Sequence, residues 1–286
     1  MPIRAFLLVF AAATAHATWN LLAKQFAGTK YLIWLASAME ALIFVPLVIW
    51  IIIRQGMPFS ASVLLALVAT GVLHVLYTEC LIRGYRIGEF TVVYPLARGS
   101  APLLSFAAAV VLLREHTSLV AVSGALLISV GILLASGTAS GLRNPRLRPS
   151  MLWGIATGIT IACYTIVDAY SVTRLMIAPL IVEYAEGLFR TVFFSRKTWL
   201  RRADVRDELT QCWKGALGIA LLMPIAYVMT LSAMKLAPIS RVAPVREMSM
   251  MIGTFFGAKF LQEGHLMRRG LGSAFIVCGV AAIALG

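Results

Sequence analysis

The sequence predicts an all-α integral membrane protein, with ten transmembrane helices arranged as two inverted five-helix repeats around a central cavity. Three observations lead there. The chain is 60% hydrophobic and 13% charged, whereas a soluble domain is about 45–50% apolar and about 25% charged. Its apolar stretches come in pieces of roughly 20 residues, the length at which a helix crosses a bilayer core. The chain also repeats itself: an offset of 148 residues pairs Asn20 with Asp168, Arg98 with Arg246, Glu115 with Glu263, Gly124 with Gly272 and Gly131 with Gly279. An odd number of spans per half forces the second copy to enter from the opposite face. That is the plan of secondary transporters, whose working site lies between the halves near the midplane.

The spans expected in order are Ile3–Leu22, Tyr31–Ile53, Ser62–Ile82, Phe90–Leu113 and Leu119–Ser136, then Met151–Val172, Ile177–Phe194, Gly215–Met234, Ile239–Leu261 and Met267–Leu285. A membrane barrel would instead show weak segments of about ten alternating residues. The first span imitates a signal peptide, with Arg4, an apolar run and Ala15-His16-Ala17. Asn20 just beyond it has its mate in the middle of the sixth span, so the segment reads as a retained helix. Residues 1–136 form the first repeat, 137–150 a Gly, Ser and Pro-rich linker, and 151–286 the second repeat. The connector Ser195 to Lys214, with Arg196, Lys197, Arg201, Arg202 and Arg206 against Asp204, Asp207 and Glu208, reads as a partly helical interfacial segment. Glu183, Glu186 and Arg190 make the seventh span anomalous: it faces a wet cavity or the span count is wrong.

The net charge of +13 is spread through short connectors. Nucleic-acid binding would want a basic stripe on one face; dispersed Lys and Arg suit helix ends beside anionic headgroups. Membrane lipid and a small molecule are the expected partners, with no nucleic acid and a monomer or weak homodimer. The four cysteines, Cys80, Cys163, Cys212 and Cys278, lie far apart without ligand spacing, so neither disulfide, metal nor cofactor is expected.

A charge at the centre of a spanning helix costs about 2.5–3.5 kcal/mol even on the lenient insertion scale, and such residues face protein or water. Arg98 and Arg246 sit inside the fourth and ninth spans, in Pro95-Leu96-Ala97-Arg98 and Pro244-Val245-Arg246. Proline frees backbone groups beside each guanidinium, whose fork of donors suits a carboxylate, phosphonate or phosphate. The competing reading locks each arginine in a structural ion pair, Arg246 with Glu247 or Arg98 with Glu79. His16, Trp19 and Asn20 share one helical face, as do Tyr164 and Asp168 in the sixth span. They suit a polar organic substrate or serve as interhelical glue. Asp168, ionisable in an apolar run, is the candidate proton carrier. His74, Tyr94 and Tyr227 complete the candidate lining, with Tyr77 and Thr78 sharing the face of His74. Gly154-x-x-x-Gly158 and Gly253-x-x-x-Gly257 suit close helix packing. Glu115 and Glu263 read as caps of short loops between the last two helices of each half. No Gly-x-Ser-x-Gly, His-Glu-x-x-His or phosphate-loop pattern occurs, so no enzyme is expected.

These residues resemble the EamA-type ten-helix transporters of the drug/metabolite transporter superfamily. The resemblance rests on His16-Ala17-Thr18-Trp19-Asn20-Leu21-Leu22-Ala23-Lys24, on Gly84-Tyr85-Arg86-Ile87-Gly88 through Val93-Tyr94-Pro95-Leu96-Ala97-Arg98-Gly99, and on Ala162-Cys163-Tyr164-Thr165-Ile166-Val167-Asp168 and Ser240-Arg241-Val242-Ala243-Pro244-Val245-Arg246-Glu247. It implies two five-helix repeats, a cavity lined by both, and alternating access in a bacterial inner membrane. Characterised relatives mostly export amino acids or related metabolites, and others carry sugar nucleotides or sugar phosphates. It also implies cytoplasmic termini, whereas the distribution of basic residues favours termini outside.

The expected function is therefore secondary transport of small anionic or zwitterionic metabolites, with export the expected direction and Asp168 the coupling candidate. The alternatives are import of an organic anion such as a phosphonate, or a non-transporting polytopic membrane enzyme or membrane partner. An enzyme should aim paired carboxylates or metal ligands at one point. Paired arginines hold charge but do little acid–base work.

Overall fold

The computed structural model describes the chain except for residues 27–28, 57–59, 88–89, 137–146 and 253–265, and every regular element among the described residues is helical. The helices are α1 (Ile3–Gln25), α2 (Leu32–Gln55), α3 (Ala61–Ile87), α4 (Phe90–Leu112), α5 (Leu119–Ser136), α6 (Arg148–Thr173), α7 (Pro179–Trp199), α8 (Arg202–Met234), α9 (Ile239–Arg246) and α10 (Leu266–Leu285). Five of them contain stretches long and apolar enough to cross a membrane: Ile3–Ala23, Leu32–Gln55, Ala61–Ile87, Arg148–Thr173 and Ala203–Met234.

Local chemistry sets several boundaries. α2 ends where Gly56 adopts φ +63° and returns its N–H to the Ile52 carbonyl, a left-handed stop that glycine makes without steric cost. α6 and α7 each begin with proline in the first turn, where its missing N–H costs nothing. At the start of α9 the free N–H groups of Ile239 and Ser240 donate to the Glu115 carboxylate, both at 2.9 Å. Glu115 therefore caps a helix of the other half, and not the loop of its own half as expected. Likewise Glu208 accepts from the Lys30 and Tyr31 N–H groups at the entry to α2.

Two expectations need adjusting. The connector Ser195–Lys214 is absorbed into α7 and α8, so α8 begins far earlier than Gly215. The ninth span is interrupted: α9 stops at Arg246, Glu247 forms a turn, and helix resumes at Met248. Pro244 lies inside α9 and, lacking an N–H, weakens the turn that precedes it. Glu247 N–H bonds Pro244 at 3.0 Å and Met250 N–H bonds Glu247 at 2.9 Å, a tightened i to i+3 pattern. Gly253 and Gly257 lie outside the described residues.

α1 packs on α8 as α3 packs on α6, α2 on α8 as α7 on α3, and α2–α7, α4–α9 and α5–α10 meet across the middle. α5 and α10 run antiparallel through glycine. A Cβ at Gly124 would meet the Gly279 carbonyl oxygen at 2.7 Å, and one at Gly131 would meet that of Gly272 at 2.7 Å. Each contact thus joins repeat mates in exchanged order. α2 and α7 are antiparallel too: Trp34 Nε1 donates to the Thr191 carbonyl at 3.1 Å and the Tyr184 hydroxyl to that of Ala41 at 3.2 Å. Gly154 and Gly158 seat α6 on α4, against Val93, Leu96, Ala97 and Ser100.

The core runs through the whole bundle, from Val9 and Val63 to Ile128, Leu231 and Ile276. Large apolar side chains also cover the outside: Leu42, Leu64 and Leu152 are 76%, 66% and 70% exposed. The buried polar residues, in contrast, gather inside the bundle. A surface this apolar, around a core that holds clusters of buried charge, is not the pattern water selects.

Candidate functional site: an arginine centre and a carboxylate centre

Two clusters of buried charge occupy the interior. The first forms where α1, α4 and the break after α9 meet. Arg98 on α4 directs Nη1 at both oxygens of Glu247, at 3.4 and 3.5 Å, and Nη2 at Nε2 of His16. Arg246, the repeat mate of Arg98, places Nε 3.6 Å from the same carboxylate. Glu247 is 1% exposed and the two arginine side chains are about a tenth exposed. Arg246 Nε makes no hydrogen bond. Two guanidinium groups thus converge on one carboxylate.

The α1 residues orient this centre. Trp19 Nε1 lies 3.2 Å from His16 Nδ1, and Asn20 donates to the His16 carbonyl at 2.7 Å. A neutral imidazole has one acceptor nitrogen. His16 therefore accepts from Arg98 or from Trp19, but not from both at once. The expected shared face of His16, Trp19 and Asn20 is present, and His16 is its contact with Arg98.

The second centre lies between α2, α3, α6, α7 and α8. Arg190 donates from Nε to Ser37 Oγ at 2.8 Å, from Nη1 to Glu186 at 2.6 Å and from Nη2 to Glu40 at 3.4 Å. His74 Nε2 faces Glu186 at 3.0 Å and Asp168 at 3.9 Å, while Nδ1 reaches the Thr70 carbonyl at 3.0 Å. The Tyr227 hydroxyl donates to Asp168 at 2.5 Å. Glu183 is 1% exposed and neither of its carboxylate oxygens has a hydrogen-bond partner. One oxygen each of Glu40 and Asp168 is also without one. Gly187 lets the Glu40 carboxylate approach α7, since a Cβ there would collide with it.

An aromatic wall separates and links the two centres. Tyr164 stacks on His74 with ring centroids 3.9 Å apart, and Tyr227 and Tyr77 meet its ring edge to face.

The structure brings together Arg98, Arg246 and His16 with Trp19 and Asn20, and separately His74, Tyr164, Asp168 and Tyr227. The Tyr94 side chain lies outside the described residues. The pairing of Arg98 with Glu79 does not occur: Glu79 meets Arg83 at 3.4 Å, one turn along α3. Glu186 and Arg190, one turn apart on α7, pair at 2.6 Å, and Arg190 also reaches across to Ser37 and Glu40 of α2. Sequence reasoning passed over Glu40. The signal was available, because Glu40 is the one acidic residue in the apolar run of α2 and an intramembrane carboxylate is a candidate by default. The arginines are enclosed by protein here, and a cavity of about 770 Å³ opens elsewhere, between α3, α6 and α7, lined by Val75, Leu76, Arg83, Trp153, Phe189 and Phe193.

No family model matches the chain, and no curated protein is detectably similar to it. A solved structure described only as a protein crystal structure superposes with a TM-score of 0.76 over 100% of this chain and 98% of its own, at 14% identity. Likeness at that identity is one of fold.

Proposed function

We propose that this chain is a multi-pass membrane protein of the EamA type, a secondary transporter that moves a small anionic or zwitterionic metabolite by alternating access, with export across a bacterial inner membrane the direction suggested by the resemblance. One observation carries the reading. Two buried guanidinium groups at equivalent positions of the two halves share a single carboxylate, so the centre has an anion's worth of unused donor capacity. A substrate carboxylate or phosphonate entering there accepts from Arg246 Nε, which has no hydrogen-bond partner, and meets the surplus positive charge of the pair. The aromatic wall of Tyr164 and Tyr227 offers the rest of the substrate an apolar face with polar tips.

The surroundings support transport over catalysis. The exchanged contacts Gly124–Gly279 and Gly131–Gly272 are those expected of inverted copies facing each other. The helix break at Glu247 falls beside the arginines, as broken helices do at transporter sites. Rocking of one half against the other about the glycine seam would open the centre to either face.

Reconstitution into liposomes with a panel of amino acids, organic acids and phosphonates tests the proposal. Uptake of at least one acid is expected, and Arg98→Lys and Arg246→Lys should each abolish it while leaving the purified protein monodisperse, because a point charge does not reproduce the guanidinium fork. Unchanged flux in both variants would remove the anion-clamp reading.

A further inference from the structure

The carboxylate centre has its own chemistry. Four carboxylates, Glu40, Glu183, Glu186 and Asp168, surround one guanidinium, Arg190, and one imidazole, His74. Even with the imidazole charged, full ionisation leaves two surplus negative charges where solvent does not reach. Buried charges persist only when paired. Among the described residues the cluster is faced by Ser37 and Glu40 from α2, Thr70 and His74 from α3, Tyr164 and Asp168 from α6, Glu183, Tyr184, Glu186 and Arg190 from α7, and Tyr227 from α8. None adds a second fixed cation among the described residues. The same residues do not present a three-ligand metal geometry.

We propose that this cluster is a proton-binding site that supplies the coupling ion for transport, with Glu183 as the carboxyl that loads and His74 as the group that passes the proton to Asp168. Glu183 fits the loading role because both its oxygens are enclosed and without partners, facing Glu40 and Glu186. A proton on Glu183 removes one surplus charge. His74 fits the passing role through one nitrogen. Nδ1 lies against the Thr70 carbonyl and hydroxyl, at 3.0 and 3.2 Å, and in the tautomer that donates Nδ1–H to the carbonyl, Nε2 is the free nitrogen facing Glu186 and Asp168. The Glu183 carboxyl gives its proton to the neighbouring Glu186 carboxylate and is left ionised; that proton then moves from Glu186 to Nε2, leaving a Glu186 carboxylate and an imidazolium. The imidazolium then gives the same proton to the Asp168 carboxylate by a small swing of the ring, and the imidazole is neutral again. Asp168 accepts a hydrogen bond from Tyr227, whose ring lies edge to face against Tyr164 in the wall beside the arginine centre.

The coupling role rests on the transporter reading, while the proton site does not. Infrared titration of the purified full-length protein in nanodiscs reads the site directly, through the carbonyl stretch of protonated carboxylic acids. The expected result is a band that titrates with pH and shifts when glutamate is labelled with ¹³C, and that loses one carbonyl equivalent in Glu183→Gln. Labelling keeps the test open if the variant does not fold. Absence of the band, or a band that ignores both the label and the variant, overturns the proposal. In liposomes, an imposed pH gradient should accelerate flux in the parent, and in Glu183→Gln the ratio of flux with and without the gradient should fall to one. Flux driven by sodium and indifferent to pH overturns the coupling. The band without flux of any acid removes the transporter reading and with it the coupling, and leaves the buried proton site standing.

Discussion

The arginine centre and the carboxylate centre are built from the same parts with the signs exchanged. In one, two guanidinium groups close on Glu247; in the other, four carboxylates gather about Arg190 and His74. Each centre holds one residue of minority charge that touches groups from more than one helix, and each leaves a majority group with unused hydrogen-bonding capacity, Arg246 Nε in the first and Glu183 in the second. They differ in what could complete them. A surplus of fixed cations that keep their protons calls for an anion from outside. A surplus of carboxylates can be completed by protons alone. Two neighbouring centres of opposite surplus, joined through Tyr164 and Tyr227, are what exchange of an acid against protons would need.

The comparison is broken most easily at the minority charges. Removing one partner of a buried ion pair costs about 3–5 kcal/mol. Glu247→Gln leaves Arg98 and Arg246 together without their anion, and a fall in thermal unfolding midpoint of that size is expected in detergent. Arg190→Gln should fall as far, because it strips Glu40, Glu186 and Ser37 of their common partner. A parent-like midpoint in either variant contradicts the assigned geometry. The link between the centres is a smaller target. Tyr227→Phe removes one hydrogen bond to Asp168, at a cost of about 1–2 kcal/mol, and should reduce flux more than stability. The majority charges should tolerate neutralisation: Glu183→Gln is expected to change stability by about 1 kcal/mol or less in either direction, since its oxygens have no partner to lose. Least of all should come from Glu79→Gln. Its partner Arg83 is 55% exposed, and such pairs contribute about 0–1 kcal/mol.

How far these features were legible in the amino-acid sequence depends on the range of the interaction. Apolar stretches announce themselves locally, so most helices fell near their expected bounds. The offset of 148 exposed Gly124, Gly131, Gly272 and Gly279 as repeat mates, and all four meet in the α5–α10 seam. Pairings across halves were not legible. Arg98 to Glu247 and Arg190 to Glu40 span 149 and 150 residues, and no local spacing records them. Glu115 shows the same limit: its position at a span end suggested a cap, but the helix it caps lies in the other repeat. The carboxylate centre was half visible. Glu186 and Arg190 stand one turn apart on α7, whereas Glu40 contributes from α2, where it is the one acidic residue. The break after Arg246 was signalled by Pro244, but the turn at Glu247 depends on the packing that places this carboxylate between two arginines.

Alternating access to the arginine centre is tested most directly by cysteine accessibility. In a background with the four native cysteines replaced, Asn20→Cys beside His16 is treated with a membrane-impermeant maleimide added to one face or the other of sealed vesicles. The account predicts labelling from both faces, with a saturating transported acid slowing both reactions. Labelling from a single face, or from neither, would contradict it.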